Sequence, residues 1–154
     1  MPTTHLATTT DKLGNTIDIL HTDKIGMSPI FTFFLRQMAE LIDNKFAFPV
    51  TTWTDNDSAV YAVQGDKILG HIVYSRGGLT GSDSVLYITL SAVDSECRGR
   101  GIYTILHQHF EDTAKKLGCS AISSHIHKNN SVRLKSAGKV GMHTVFNYVF
   151  KRLK

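Results

Sequence analysis

The sequence predicts a single α/β (α+β) domain, a mixed central sheet flanked by helices. Three observations carry this. The chain has 154 residues, 42% hydrophobic and 19% charged, enough to bury one core but crowded for two. Short alternating apolar runs, bounded by turn residues, recur between stretches of helical periodicity. One run, Val85 to Val93, is apolar at nearly every position, the pattern of a central strand covered on both faces.

Residues 1–15 are polar and read as a flexible lead-in, leaving 16–154 as the domain. Thr16 to Thr22 alternates around Ile17 and Ile19, a strand. Ser28-Pro29 supplies a cap and a first-turn proline, and Ile30, Phe34, Met38 and Leu41 follow at helical spacing, so residues 29–43 are a helix. Residues 44–58 read as a loop or short second helix with Phe46, Phe48 and Trp53 packing beneath it. Ala59 to Val63 and Lys67 to Ser75 form a hairpin around Gln64-Gly65-Asp66. The glycine-rich run 76–84 reads as mobile. In Val85 to Val93, strict alternation puts Val85, Tyr87, Thr89, Ser91 and Val93 on one face and Leu86, Ile88, Leu90 and Ala92 on the other. Gly101 to Lys116 is the clearest helix, with Ile102, Ile105, Leu106, Phe110 and Ala114 in one stripe and Gly118 to stop it. A strand over Ser120 to His127, a short basic helix over Ser131 to Lys139 and a last strand over Thr144 to Arg152 complete the chain.

Composition narrows the function. Cys97 and Cys119 are too few for a disulfide scaffold, and no CxxC pair exists for zinc. The polar start lacks a signal-peptide apolar stretch, and no run approaches the roughly 18 apolar residues of a membrane span. The expectation is a cytoplasmic protein with no membrane partner. Residues 1–92 hold six Lys/Arg against nine Asp/Glu, and residues 93–154 hold eleven against four. The basic half suits an anionic partner such as cofactor phosphates. No nucleic-acid motif or stacking platform accompanies it, which argues against nucleic acid.

The chemistry concentrates at Val93-Asp94-Ser95-Glu96-Cys97-Arg98-Gly99-Arg100-Gly101-Ile102-Tyr103. A buried strand ends, two glycines and two arginines follow, and a strong helix begins. Glycines let main chain approach a ligand, the first helical N–H groups attract an anion, and arginines suit phosphate. The dinucleotide pattern G-x-G-x-x-G fails at its third glycine, and the Walker A pattern is absent.

This loop resembles the acyl-CoA loop of the GNAT acyltransferase superfamily, R/Q-x-x-G-x-G/A. It reads here Arg98-Gly99-Arg100-Gly101-Ile102-Tyr103, with Tyr103 where the family prefers Gly or Ala. The strand DKILGHIVY, a basic helix beginning near Asn129-Asn130, and Lys139-Val140-Gly141-Met142 are similar to further family features in the same order. The resemblance spans about residues 59–142.

The resemblance implies acetyl-CoA as acyl donor and an amine, small molecule or peptide, as acceptor, joined by direct attack in a ternary complex. The backbone of Ser91 and Val93 would pair with the pantetheine arm. The loop Arg98, Gly99, Arg100, Gly101, Ile102, Tyr103 and Thr104 would hold the diphosphate, and Asn130 would contact the coenzyme. The family often places a carboxylate on the central strand as base, but this strand has none between Asp83 and Asp94. Ser91, Tyr87 and His127 are the candidate catalytic residues, with Thr89 beside them and His125 a second possible proton acceptor. Strand-end histidines of ordinary structural role are the competing reading of the pair, which lacks a third ligand for zinc. The family's tyrosine acid, seven residues after the asparagine, falls on Ser136 or Ala137, leaving Tyr148 and Tyr103 as substitutes. Cys97 has no base partner. Asp55 and Asp57 beside Trp53 favour a cationic acceptor. A non-catalytic acyl-CoA-binding module stays open as an alternative, and the last strand offers an edge for a homodimer.

Overall fold

A computed structural model describes residues 3–49, 51–78 and 81–153. Six strands form one sheet in sequence order: β1 (Thr3–Thr10), β2 (Thr16–Thr22), β3 (Ser58–Gln64), β4 (Lys67–Arg76), β5 (Val85–Val93) and β6 (Ala121–Ser124). The first five are antiparallel to their neighbours, and β6 runs parallel to β5. A parallel pair needs a crossover, supplied by α2 (Ile102–Lys116). Helix α1 (Ile30–Asp43) lies between β2 and β3, and α3 (Ser131–Lys139) follows β6.

The two helical stripes read from sequence fix the two faces. Ile102, Leu106, Phe110 and Ala114 of α2 bury against Ile17, Ile19, Val60, Leu69 and Ile72. Ile30 and Phe34 of α1 bury with Ala59, Tyr61 and Val73 on the other face. Each of the isoleucine, leucine, valine and phenylalanine side chains among them contributes about 1.5–3 kcal/mol on burial. The Ser28 hydroxyl accepts from the Ile30 N–H at 3.3 Å, as its capping position predicts. Gly118, at φ +77°, ends α2. Among the described residues no helix is long and apolar enough to cross a membrane.

Several expectations are corrected. Residues 3–10 are not a frayed lead-in: they form β1, paired along its length with β2. Its threonines favour extended backbone without the apolar alternation that marks a strand, since β1 is an edge strand with a largely exposed surface. Of the two readings of the segment 44–58 its described residues take the loop, with no helix before β3, and β6 stops at Ser124 rather than His127. Thr144 to Arg152 carries no strand: it pairs with none of the sheet's open edges, and Val145, Phe146 and Val149 are exposed. Of the run 76–84, residues 79 and 80 lie outside the described residues; Gly78, at φ +46°, packs so close to the Tyr87 side chain that a Cβ there would lie 2.3 Å from the Tyr87 Cβ and 2.4 Å from its ring.

The alternation along β5 also breaks. Tyr74 pairs with Ile88 and Val73 with Leu90, so Thr89 is an extra residue in the ladder. Leu86 and Ile88 enter the α2 core, whereas Leu90 enters the α1 core. A β-bulge switches the faces mid-strand, which strict alternation does not foresee.

Candidate active site

Bulge and sheet splitting coincide. The β5–β6 ladder ends at Ile88 opposite Ser124, whose hydroxyl donates to the Ile88 carbonyl at 3.2 Å. Beyond it, the β6-side edge of Thr89 to Val93 faces no strand among the described residues. The opening leads to a pocket of about 230 Å³ between the 46–53 loop, β5, the residues after β6, and α3. Tyr87, Ser91 and His127, the catalytic candidates from sequence, all line it. So do Thr89, His125 and Asn130.

Past Val93, Asp94 caps a 3-10 turn at Ser95–Cys97 through its carboxylate, which accepts from the Glu96 N–H at 2.9 Å. Gly99 and Gly101 take φ +80° and +78°, conformations that favour glycine. Gly101 carries no capping side chain, and the first carbonyl in the α2 ladder is its own, bonded by the Ile105 N–H. The N–H groups of Ile102, Tyr103 and Thr104 therefore lack helical acceptors, just beyond the end of β5.

The two loop arginines differ. Arg98 is exposed. Arg100 is not the anion donor expected from the sequence: its Nε lies 2.5 Å from an Asp11 carboxylate oxygen and its NH2 donates to Gln64 Oε1 at 2.7 Å. Asp11 is contributed by the turn after β1, the element the sequence reading missed. The Arg100 carbonyl is engaged as well, accepting from the Lys12 N–H at 3.0 Å.

Tyr103 turns toward α3. Its hydroxyl accepts from Arg133 NH1 at 2.8 Å, and the guanidinium carbon lies 5.1 Å from its ring centre. Burial pushes the phenol up despite the opposing Arg133 charge. Asn130 caps α3, its side-chain oxygen accepting from the Arg133 N–H at 3.3 Å. Ala137 is buried, and the Ser136 hydroxyl donates to the Arg133 carbonyl, so α3 presents no tyrosine. Cys97 is buried in the α2 core.

Two polar pairs stand at the pocket. Tyr87 Oη and His125 Nδ1 lie 3.0 Å apart. Burial pushes the Tyr87 phenol up to about 12 and the His125 imidazole down, so both are neutral at pH 7. His127 Nδ1 accepts from the Asn129 N–H at 3.1 Å, a local structural bond, and its ring packs near Phe46. Phe48 packs on His125 and Tyr148. Trp53 both packs on Phe34 and lines the pocket. The second pair was invisible in sequence: the Thr89 hydroxyl donates to Asp57 Oδ2 at 3.2 Å, and Asp57 is 7% exposed. Burial raises the Asp57 carboxyl above its ordinary value, against the lowering effect of Thr89 and Thr54. The sequence marked Asp57 only as one of two acids beside Trp53 that would favour a cationic acceptor, with no sign of its burial or of Thr89.

The fold, the split strand pair and the glycine turn define an acyl-CoA-type α/β domain, and comparison with known proteins gives the class a name. A sequence model of the acetyltransferase (GNAT) family matches residues 28–142. The chain belongs to this family: it is an acetyl-CoA-dependent acyltransferase. No curated protein matches the sequence. Among solved structures, an aminoglycoside acetyltransferase from an uncultured soil metagenomic sample, in complex with sisomicin, superposes with TM-score 0.67 at 18% identity, over 90% of this chain and 97% of that one. AAC(6')-Iy in complex with a bisubstrate analogue superposes at 0.60 and 17% identity, over 90% and 98%. A ribosomal-protein-alanine N-acetyltransferase from Brucella melitensis biovar Abortus 2308 gives 0.64 at 13% identity, over 89% and 99%. At these identities the likeness is one of fold.

Proposed function

We propose that the protein transfers an acetyl group from acetyl-CoA to a primary amine of a cationic small molecule or peptide, by direct attack while both substrates are bound. The observation that carries this is the parting of β5 from β6 after Ile88, directly above the glycine turn. The unpaired backbone at Ser91 and Val93 would receive the pantetheine arm as an added strand. The main chain from Arg98 through Gly99, Arg100, Gly101, Ile102, Tyr103 and Thr104 would hold the diphosphate, helped by the Arg98 side chain. Asn130 sits across the slot. The chain's own polar groups suit such a ligand: the Ser91 hydroxyl and Arg133 NH2 are buried without hydrogen-bond partners among the described residues, and buried polar groups ordinarily find one.

Acetyl-CoA, when bound, supplies the activated acyl carbon. The protein's part is to hold the amine against it and to exclude water. Phe46, Phe48 and Trp53 would wall the acceptor, and Tyr87, as a neutral phenol, would donate a hydrogen bond there. The amine complexes among the structural neighbours support this acceptor class. The two free cysteines support a reducing, cytoplasmic setting. The exposed apolar tail supports a second copy as partner, to be checked by sedimentation velocity.

Calorimetry with acetyl-CoA, then turnover with sisomicin, spermidine and an alanine-led peptide, tests the reading. Saturable binding with transfer to at least one amine is expected. Binding without transfer to any amine would favour the non-catalytic module.

A further inference from the structure

Acceptor amines carry a proton at neutral pH, since alkylammonium groups titrate near 10, so some group must remove it before nitrogen can attack. β5 carries no carboxylate to do so. The pocket, however, has one directly behind its wall. Thr89 lines the pocket, and its hydroxyl donates to Asp57 Oδ2 at 3.2 Å. Thr89 is also the bulge residue, outside the β4 ladder and one step past the last β6 pair. A bulge re-aims a side chain; here it joins a pocket-lining hydroxyl to a buried acid.

We propose that Thr89 and Asp57 form the proton exit for the acceptor amine. This deepens the acetyl-transfer reading and rests on it. The ammonium proton passes to Thr89 Oγ1 while the hydroxyl's own proton passes to Asp57 Oδ2. The nitrogen then forms a bond to the acyl carbon as the carbon–sulfur bond breaks. The nitrogen's second proton goes to the departing sulfur, so the products are an amide, a thiol and one proton held on Asp57. Thr89 touches the substrate; Asp57 acts through it and is a positioning and proton-holding residue.

The surroundings of Asp57 fit this role. Its Oδ1 accepts from the Thr54 hydroxyl at 3.4 Å, its carbonyl accepts from the Ile25 N–H, and no ion pair neutralises it among the described residues. Burial raises its carboxyl, bringing it closer to the operating pH. The other titratable or charged groups facing the pocket are Tyr87, His125, His127 and Arg133. His125 is the competitor: Tyr87 engages its Nδ1 and not its Nε2, and the His125→Gln profile below separates the two bases.

The test uses the full chain with acetyl-CoA and the three amine probes above. Thr89→Val and Asp57→Asn should each lower kcat/KM at pH 7 by about a hundredfold or more. Their loss should shrink about tenfold per pH unit as the solution itself deprotonates the amine, while Thr89→Ser keeps most of the activity. The acetyl-CoA Kd should not move. A second readout needs no substrate: the infrared carbonyl band of protonated Asp57, absent in Asp57→Asn, should titrate at higher pH in Thr89→Val, which removes a hydrogen bond to the carboxylate. Parallel pH profiles in variant and parent, or a profile flattened by His125→Gln instead, would overturn the proton exit alone. Failure of the parent chain to acetylate any probe would overturn it together with the acetyl-transfer reading.

Discussion

Arg100 and Asp11, 89 residues apart in sequence, form an ion pair at 2.5 Å that ties the turn entering α2 to the turn joining β1 and β2. Burial would raise the Asp11 carboxyl, but the Asn15 and Leu13 N–H groups, the Asn15 side chain and the Arg100 guanidinium together hold it at about 2, against an ordinary 3.8. The pair's contribution to stability is therefore complete above about pH 4 and fades as pH falls toward about 2. Asp11→Asn should lower Tm at pH 7 and remove that acid limb. Thermal melts of both proteins between pH 2 and 7, as approximate limits, check this; identical acid limbs would dismiss the pair as a contributor.

Gly101→Glu would place a carboxylate where the diphosphate is proposed to lie and force a non-glycine residue to φ +78°, a strain of about 1–2 kcal/mol. The nearest atoms to the new Cβ would be those of the flexible Lys12 side chain, at 3.1 Å and beyond. The expected outcome is a folded protein by circular dichroism whose acetyl-CoA affinity falls about a hundredfold or more, or roughly 3 kcal/mol. Arg98→Ala should weaken binding less. Calorimetric Kd values decide the matter.

Tyr103 fills a position where the family prefers a small residue, yet its hydroxyl is engaged by Arg133. Tyr103→Phe should cost about 1 kcal/mol of stability through that lost bond, with kcat nearly unchanged. A large fall in kcat with unaltered stability would instead make Tyr103 the acid.

His71 is wholly buried beside Phe33, and neither ring nitrogen has a partner among the described residues. Burial holds its imidazole down at about 4, against 6.5 when unfolded. The unfolded chain binds this proton first, so stability declines as pH falls from about 6.5 to about 4, by roughly 3 kcal/mol in all. His71→Leu should flatten that decline in denaturant titrations at pH 7.5 and pH 4.5, as approximate conditions; an unchanged slope would refute it.

How much was legible in advance follows from what each signal depends on. Periodicity and glycine placement are local, so α1, α2, α3 and the β3–β4 hairpin stand close to where the sequence puts them. The β1 strand was not legible, because its threonines show no apolar face and its order comes from pairing with β2. The final segment misled in the opposite sense: it is apolar enough for a strand, but it joins none of the sheet's open edges, and local apolar content does not specify pairing.

By itself, the sequence determined the class of the domain and the turn between β5 and α2, because glycines, helix starts and buried runs act through neighbouring residues. Tertiary structure decided the partners across the sheet. It engaged Arg100 with Asp11, turned Tyr103 to Arg133, flipped the faces of β5 at Thr89 and set Asp57 behind it. Each of these is a pairing of side chains distant along the chain, fixed by strand register and by the burial of charge, and no local pattern encodes such distances.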